Sequence, residues 1–165
     1  VSEKLTPNAE QLARKHPIAY VQKWHGLELA IENPVGSVRS GKKPDGTAWH
    51  TTMKHAYGEI SGSTGVDGDP VDVFLGPDLE SAEFVYVVHQ RRVDDWKNYD
   101  EDKAMLGFPS EAAARIAFLR NYDDPRFLGP ITKLPVAEFI RKVRATKTHP
   151  AMIKSLLLFL REKVN

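Results

Sequence analysis

The chain has 165 residues, 41% hydrophobic and 27% charged, which suits one folded domain with its own core and excludes a disordered or fibrous chain. Its 23 Lys and Arg nearly cancel its 22 Asp and Glu, so a general basic footprint for nucleic acid is absent. Cysteine is also absent, which removes disulfides, thiol nucleophiles and zinc–thiolate sites, fits a reducing cytoplasm, and leaves oxygen and imidazole chemistry.

Residues 1–16 are polar, and Thr6–Pro7 predicts the start of a short helix, read here as an N-terminal extension or linker ahead of a domain over 17–165. From residue 17 to about 92 the texture is short β-like runs broken by Gly, Pro, Asn and Asp. Leu27, Leu29 and Ile31 alternate with Glu28, Ala30 and Glu32, the period of a half-buried strand. A turn is expected at Pro44–Asp45–Gly46, then strands near 48–53, 56–61, 71–75 and 83–89. After Phe108 the pattern becomes helical: SEAAARIAFLRNY with Ala114, Ile116, Ala117, Phe118 and Leu119 inward, then PVAEFIRKVRA, then a last helix after Thr148. Its apolar run from Leu156 to Leu160 is too short to span a bilayer, and no membrane partner is expected. Strands followed by helices predict an α+β fold, a small barrel or curled sheet with helices outside and a helical C-terminal part.

The chemistry concentrates in DGDPVDVF. Asp67, Asp69 and Asp72 fall within six positions. Two carboxylates about 4 Å apart repel by roughly 1 kcal/mol in water and about 4 kcal/mol at a protein surface, so such a cluster either points into solvent or shares a cation. Gly68 permits a sharp turn, and Pro70 withholds an N–H at the start of a strand. An EF-hand is excluded, because counting from Asp67 the sixth residue is Asp72 and the twelfth Asp78, where glycine and glutamate are required. An acidic hairpin turn entering a strand is the plainer alternative.

The run AYGEISGSTGVDGDPVDVF, with Tyr57 ten residues before Asp67, resembles the signature region of the family I soluble inorganic pyrophosphatases. Asp67 to Val73 matches their pattern of Asp, small residue, Asp, Pro or Glu, aliphatic, Asp, aliphatic. IENPVGSVRSG, DGTAW and YDEDKAMLGFPSEAAARIAFL look like the compact pyrophosphatase-like domains embedded in large multidomain proteins of phages and conjugative elements. The resemblance implies an OB-like five-stranded barrel, hydrolysis of pyrophosphate with Mg2+ (Mn2+ as the alternative), and further domains of a longer polypeptide in a bacterial cytoplasm as partners.

It also implies roles for single residues. Asp67 and Asp72 would be metal ligands, Asp69 the general base, and Tyr57 and Arg39 contacts to substrate. The second acidic group, DDWKNYDEDK, offers Asp95 and Asp100 at the family interval followed by Lys103 as a phosphate contact; Asp100 would be the metal ligand, with Glu101, Asp102 or Asp95 as alternatives because Lys103 lies three beyond Asp100. Glu32 fits the upstream glutamate and would be a further metal ligand, but the paired lysine position holds Ala30. Lys133 is the nearest candidate for a late phosphate contact, and Lys42 and Lys43 are turn lysines near Arg39. His50 and His55 flank the strand before Tyr57, and Trp49 is placed either to pack or to wall a pocket.

Overall fold

A computed structural model describes residues 3–154. Among these residues the strands are β1 (Lys4–Leu5), β2 (Tyr20–Trp24), β3 (Leu27–Asn33), β4 (Val38–Lys42), β5 (Ala48–Thr52), β6 (Ala56–Ile60), β7 (Asp72–Leu75), β8 (Phe84–Arg92), β9 (Asp95–Leu106) and β10 (Ile131–Pro135). The helices are α1 (Ala9–Leu12), α2 (Glu111–Arg120) and α3 (Val136–Ala145), with a short 3-10 turn at Pro125–Phe127.

Eight strands form one sheet in the order β1-β2-β3-β6-β7-β9-β8-β10, and β4 and β5 form a separate hairpin. The fold is therefore mixed α+β as expected. The hydrogen-bonding order is open from β1 to β10, so the expected five-stranded barrel is replaced by a larger unclosed sheet. Two strands account for much of the difference. β9 grows from a segment too charged to read as a strand, and β10 from a short stretch ending in proline. β10 pairs with β8 at the sheet edge, where proline's missing N–H is tolerated.

Alternation along the strands separates two cores. Leu29, Ile31, Ile60, Val73, Val87, Ala104 and Leu106 face Phe139 and Val143 of α3. Met53, Tyr57, Phe74, Tyr86, Val88 and Met105 pack with Ala114, Ala117 and Phe118 of α2. Phe118 and Phe139 are fully buried, and each such side chain contributes about 1.5–3 kcal/mol of transfer free energy. Ile116, expected inward, is 51% exposed because it falls between the two helix positions that meet the sheet.

The helix ends follow local chemistry. Asn8 rather than Thr6 caps α1, through a capping box with Gln11. Ser110 caps α2, its side chain accepting from Ala113 N. The N-terminal stretch is not set apart from the sheet: β1 pairs with β2. Of the last expected helix, residues 150–154 are non-helical, and residues 155–165 lie outside the described residues.

One buried polar network ties β8, β9, β10 and the C-terminal stretch together. His89 donates from Nδ1 to Asp102 Oδ1 (2.6 Å), and its Nε2 meets Thr132 Oγ1 at 2.7 Å. Tyr99 Oη donates to Asp102 Oδ1 (2.8 Å), and Ile153 N donates to Oδ2 (2.7 Å). Asp102 is thereby a structural anchor, on the opposite face of β9 from its neighbours Glu101 and Lys103.

Candidate active site

The aspartate turn is built by its own backbone. Gly65 N donates to Asp69 O (2.7 Å), Gly68 N to Gly65 O (3.0 Å), and Asp69 N to the Asp67 side chain (3.0 Å). Gly68 takes φ +87°, a left-handed conformation that glycine adopts without steric penalty. Buried Ser63 pins the base of the loop, donating to Ile60 O (2.7 Å) and accepting from Val71 N (2.9 Å). The turn thus delivers Asp67 and Asp69, both exposed, just before half-buried Asp72 starts β7.

Strands β7 and β9 run parallel, with Asp72 opposite Lys103. Lys103 is 2% exposed and donates from Nζ to Tyr57 Oη (2.8 Å) and to the Asp72 carboxylate. Glu101, two residues earlier and so on the same face of β9, lies 2.8 Å from the same Nζ, and nearby Asp67 helps to raise its pKa. Two acids therefore meet at one buried ammonium. Burial works against the charge on Lys103, but Asp72, Tyr57 and Glu101 hold it well above the usual lysine range. Burial also raises Glu101, to about 7, with Asp72 adding to the rise and Lys103 opposing it.

Glu101, rather than the expected Asp100, pairs with Lys103. Asp100 instead accepts from Gln90 Nε2 (3.2 Å). Asp95, at the other end of β9, accepts from Lys97 N (3.3 Å) and from the Asn98 side chain. The signal was present in the sequence: once β9 is a strand, Glu101 and Lys103 share a face and Asp100 does not.

A second acidic group adjoins the first. A bulge shifts the register between Ile31 and Asn33, so that Asn33 faces Tyr57 and Glu32 sits near Glu59 and Asp72. Ala30 lies opposite Glu59. Arg14, from the segment after α1, makes one ion pair to Glu59 and another to Glu32 at 3.5 Å. Burial raises the Glu32 pKa, with Glu59 and Asp72 adding to it. Arg14 carried no sequence signal.

The β4–β5 hairpin supplies the opposite wall. Thr47 N donates to Asp45 Oδ1 (2.8 Å) in the expected turn, and Arg39 projects so that its guanidinium lies 4.5 Å from the Tyr57 ring and 5.3 Å from Trp49. Trp49 pairs across the hairpin with Gly41, and its indole lies so close over that glycine that an added Cβ would stand 2.8 Å from it. Tyr122 closes the inner end, its Oη donating to Gln90 Oε1 (2.5 Å) and its ring stacked on Phe118. Burial pushes the Tyr122 hydroxyl up to about 12. Between these walls is a cavity of about 200 Å³ bordered by Arg39, Lys42, Lys43, Trp49, Glu101 and Lys103.

Other candidates lie elsewhere. Lys133 Nζ sits 4.1 Å over the Phe84 ring on the edge strand. His50 is exposed, and His55 meets Asn121 Nδ2 at 3.1 Å and the Phe108 ring. Among the described residues, no three acidic or histidine side chains stand ready around one point to hold a metal ion. No helix among them is long and apolar enough to cross a membrane.

No curated protein sequence matches the chain. A solved inorganic pyrophosphatase from Coxiella burnetii aligns over 72% of this chain and 91% of its own, at 14% identity and a TM-score of 0.41. A solved structure from Anaplasma phagocytophilum, titled an inorganic phosphatase, aligns over 47% of this chain and 53% of its own, at 22% identity and a TM-score of 0.29. The family pattern described as Inorganic Pyrophosphatase matches residues 11–144, from just before Arg14 to the penultimate residue of α3. The chain belongs to the inorganic pyrophosphatase family.

Proposed function

We propose that this chain hydrolyses a phosphoanhydride, with pyrophosphate as the simplest substrate, in a reaction that requires Mg2+ or Mn2+. The observation that carries the reading is the meeting of Asp72, Glu101 and Tyr57 at Lys103, beside the Asp67–Asp69 turn and across from Arg39. Of these residues, Arg39, Glu101 and Lys103 border one cavity, together with Lys42 and Lys43.

Carboxylate oxygens are the ligands a hard divalent ion takes, and a cation would have to draw these acids together, since among the described residues no three share one point. Burial and neighbouring acids already hold the Glu101 and Glu32 carboxyls up, a crowding of negative charge that a cation relieves. Asp67, Asp72 and Glu101 would hold it, with Glu32 adjacent. When bound, such an ion polarises phosphoryl oxygens and makes water more acidic. Arg39 presents a planar fork to two phosphate oxygens. Asp69, exposed at the tip of the turn, accepts the proton of the attacking water. The water oxygen bonds to one phosphorus, the bond from that phosphorus to the bridging oxygen breaks, and its electron pair leaves with the second phosphate.

Release of phosphate from pyrophosphate, with and without Mg2+, tests the proposal. Asp69→Asn should lower turnover by about 10²–10⁴-fold, the usual contribution of a positioned base. Turnover in Asp69→Asn close to that of the unchanged chain would place the base elsewhere. A second reading, binding without turnover, draws on one feature: Lys103 and Arg14 already occupy carboxylates of the site. Absence of phosphate release with either metal would favour it.

A further inference from the structure

We infer that the phosphoanhydride taken by this site carries a nucleobase on its sugar, so that nucleoside di- or polyphosphates are its substrate class rather than free pyrophosphate alone. The inference rests on the proposed phosphate end of the site and concerns what lies beyond it.

Pyrophosphate is an all-oxygen anion and gives no reason for an apolar wall. The inner end of the cavity suits it, with Lys103, Glu101 and Arg39. The lining also includes Trp49, Pro44, Val93 and Phe127, all less buried than Lys103. Apolar and aromatic walls with a few placed polar groups mark sites for organic ligands. The cavity also continues. A second recess of about 300 Å³ shares Lys43, Pro44, Val93, Asp123 and Phe127 with it and extends to Trp96, whose ring carries Arg126 at 4.6 Å.

The rings on this path are held in place. Trp49 lies over Gly41, where no side chain competes for the space. Phe127 is wedged between Tyr122 and Trp96, at 5.0 Å from each. Fixed aromatic faces with adjacent guanidinium groups are the usual platform for a base, and stacking tolerates any base because each has a π-face. Thr51 and Asp123 add polar atoms to the same wall, which a base edge can use and an alkyl chain cannot.

The test is calorimetric titration in Mg2+ with three non-hydrolysable probes: methylenediphosphonate, adenosine 5′-(α,β-methylene)diphosphate and an alkyl bisphosphonate. The adenosine compound should bind about tenfold or more tighter than methylenediphosphonate, the scale of one base–aromatic stack. Trp49→Ala should erase that advantage. Val93→Trp, which fills the outer cavity, should weaken the adenosine compound by a similar factor and leave methylenediphosphonate within about twofold. Equal affinity for the two, a Val93→Trp variant that binds both as before, or tighter binding of the alkyl compound would each overturn the inference. Phosphate release measured in parallel separates the two claims. Pyrophosphate turnover without nucleotide preference removes this inference and keeps the hydrolase, whereas the predicted binding pattern without any turnover does the reverse.

Discussion

Ala30 stands directly opposite Glu59 on neighbouring strands, and the guanidinium of Arg14 is ion-paired to that same Glu59. Arg14 thus brings a cation to the strand pair on which the resemblance places a phosphate-binding lysine. If it serves that purpose, Arg14→Ala should lower kcat/KM for pyrophosphate about tenfold or more, the loss of ~1.4 kcal/mol of transition-state stabilisation. Ala30→Lys in the same chain should restore part of it. An Arg14→Ala enzyme with unchanged kcat/KM would confine Arg14 to neutralising Glu32 and Glu59.

Glu101 makes stability depend on pH. Its carboxyl is raised from its ordinary 4.5 to about 7 in the folded chain, so between these values the folded state holds more protons than the unfolded one. Stability must then fall as pH rises from about 4.5 to about 7, with the penalty fully present above that range. Urea denaturation at several pH values, compared between the unchanged chain and Glu101→Gln, reads this directly. The variant should flatten the slope in that window; an identical slope in both would assign the proton uptake to another group.

The choice between Glu101 and Asp100 can be read from metal dependence. Glu101→Ala should raise the Mg2+ concentration needed for half-maximal phosphate release by about tenfold or more, the loss of one charged ligand being worth at least ~1.4 kcal/mol. Asp100→Ala, Asp95→Ala and Lys133→Ala should each change it by less than about twofold, as surface substitutions outside a site do. A strong effect at Asp100 would mean that β9 changes register when metal is present.

Asp102 accepts three hydrogen bonds in the interior, from His89, Tyr99 and Ile153. Asp102→Ala leaves those donors unsatisfied, and at about 1 kcal/mol for each the loss should come to about 3 kcal/mol in chemical denaturation. A loss below about 0.5 kcal/mol, the range of ordinary surface substitutions, would mean that water replaces the carboxylate at little cost.

The legible parts of this chain were those written in periodicity and in turn residues. β3, β5, β6, β7 and the core of β8 lie where alternation put them, and α2 and α3 where SEAAARIAFLRNY and PVAEFIRKVRA put them. The aspartate turn was legible because Gly68 and Pro70 restrict the backbone there. β9 was not, since one of its faces carries charge into the interior and each charge is stabilised by a partner far away in sequence. Lys103 is buried because Asp72 and Tyr57, 31 and 46 residues earlier, neutralise and hydrogen-bond it. Arg14 was hidden for the same reason, as its partners lie on β3 and β6.

β9 bears two loads on opposite sides of one backbone. Glu101 and Lys103 face the cavity, while the residue between them, Asp102, holds Ile153 N from the other side. Occupying the cavity and releasing the C-terminal stretch therefore act on the same three residues. If a ligand at Lys103 shifts how tightly Ile153 is held, then freeing Ile153 must shift that ligand's affinity by the same factor, because binding free energies are reciprocal.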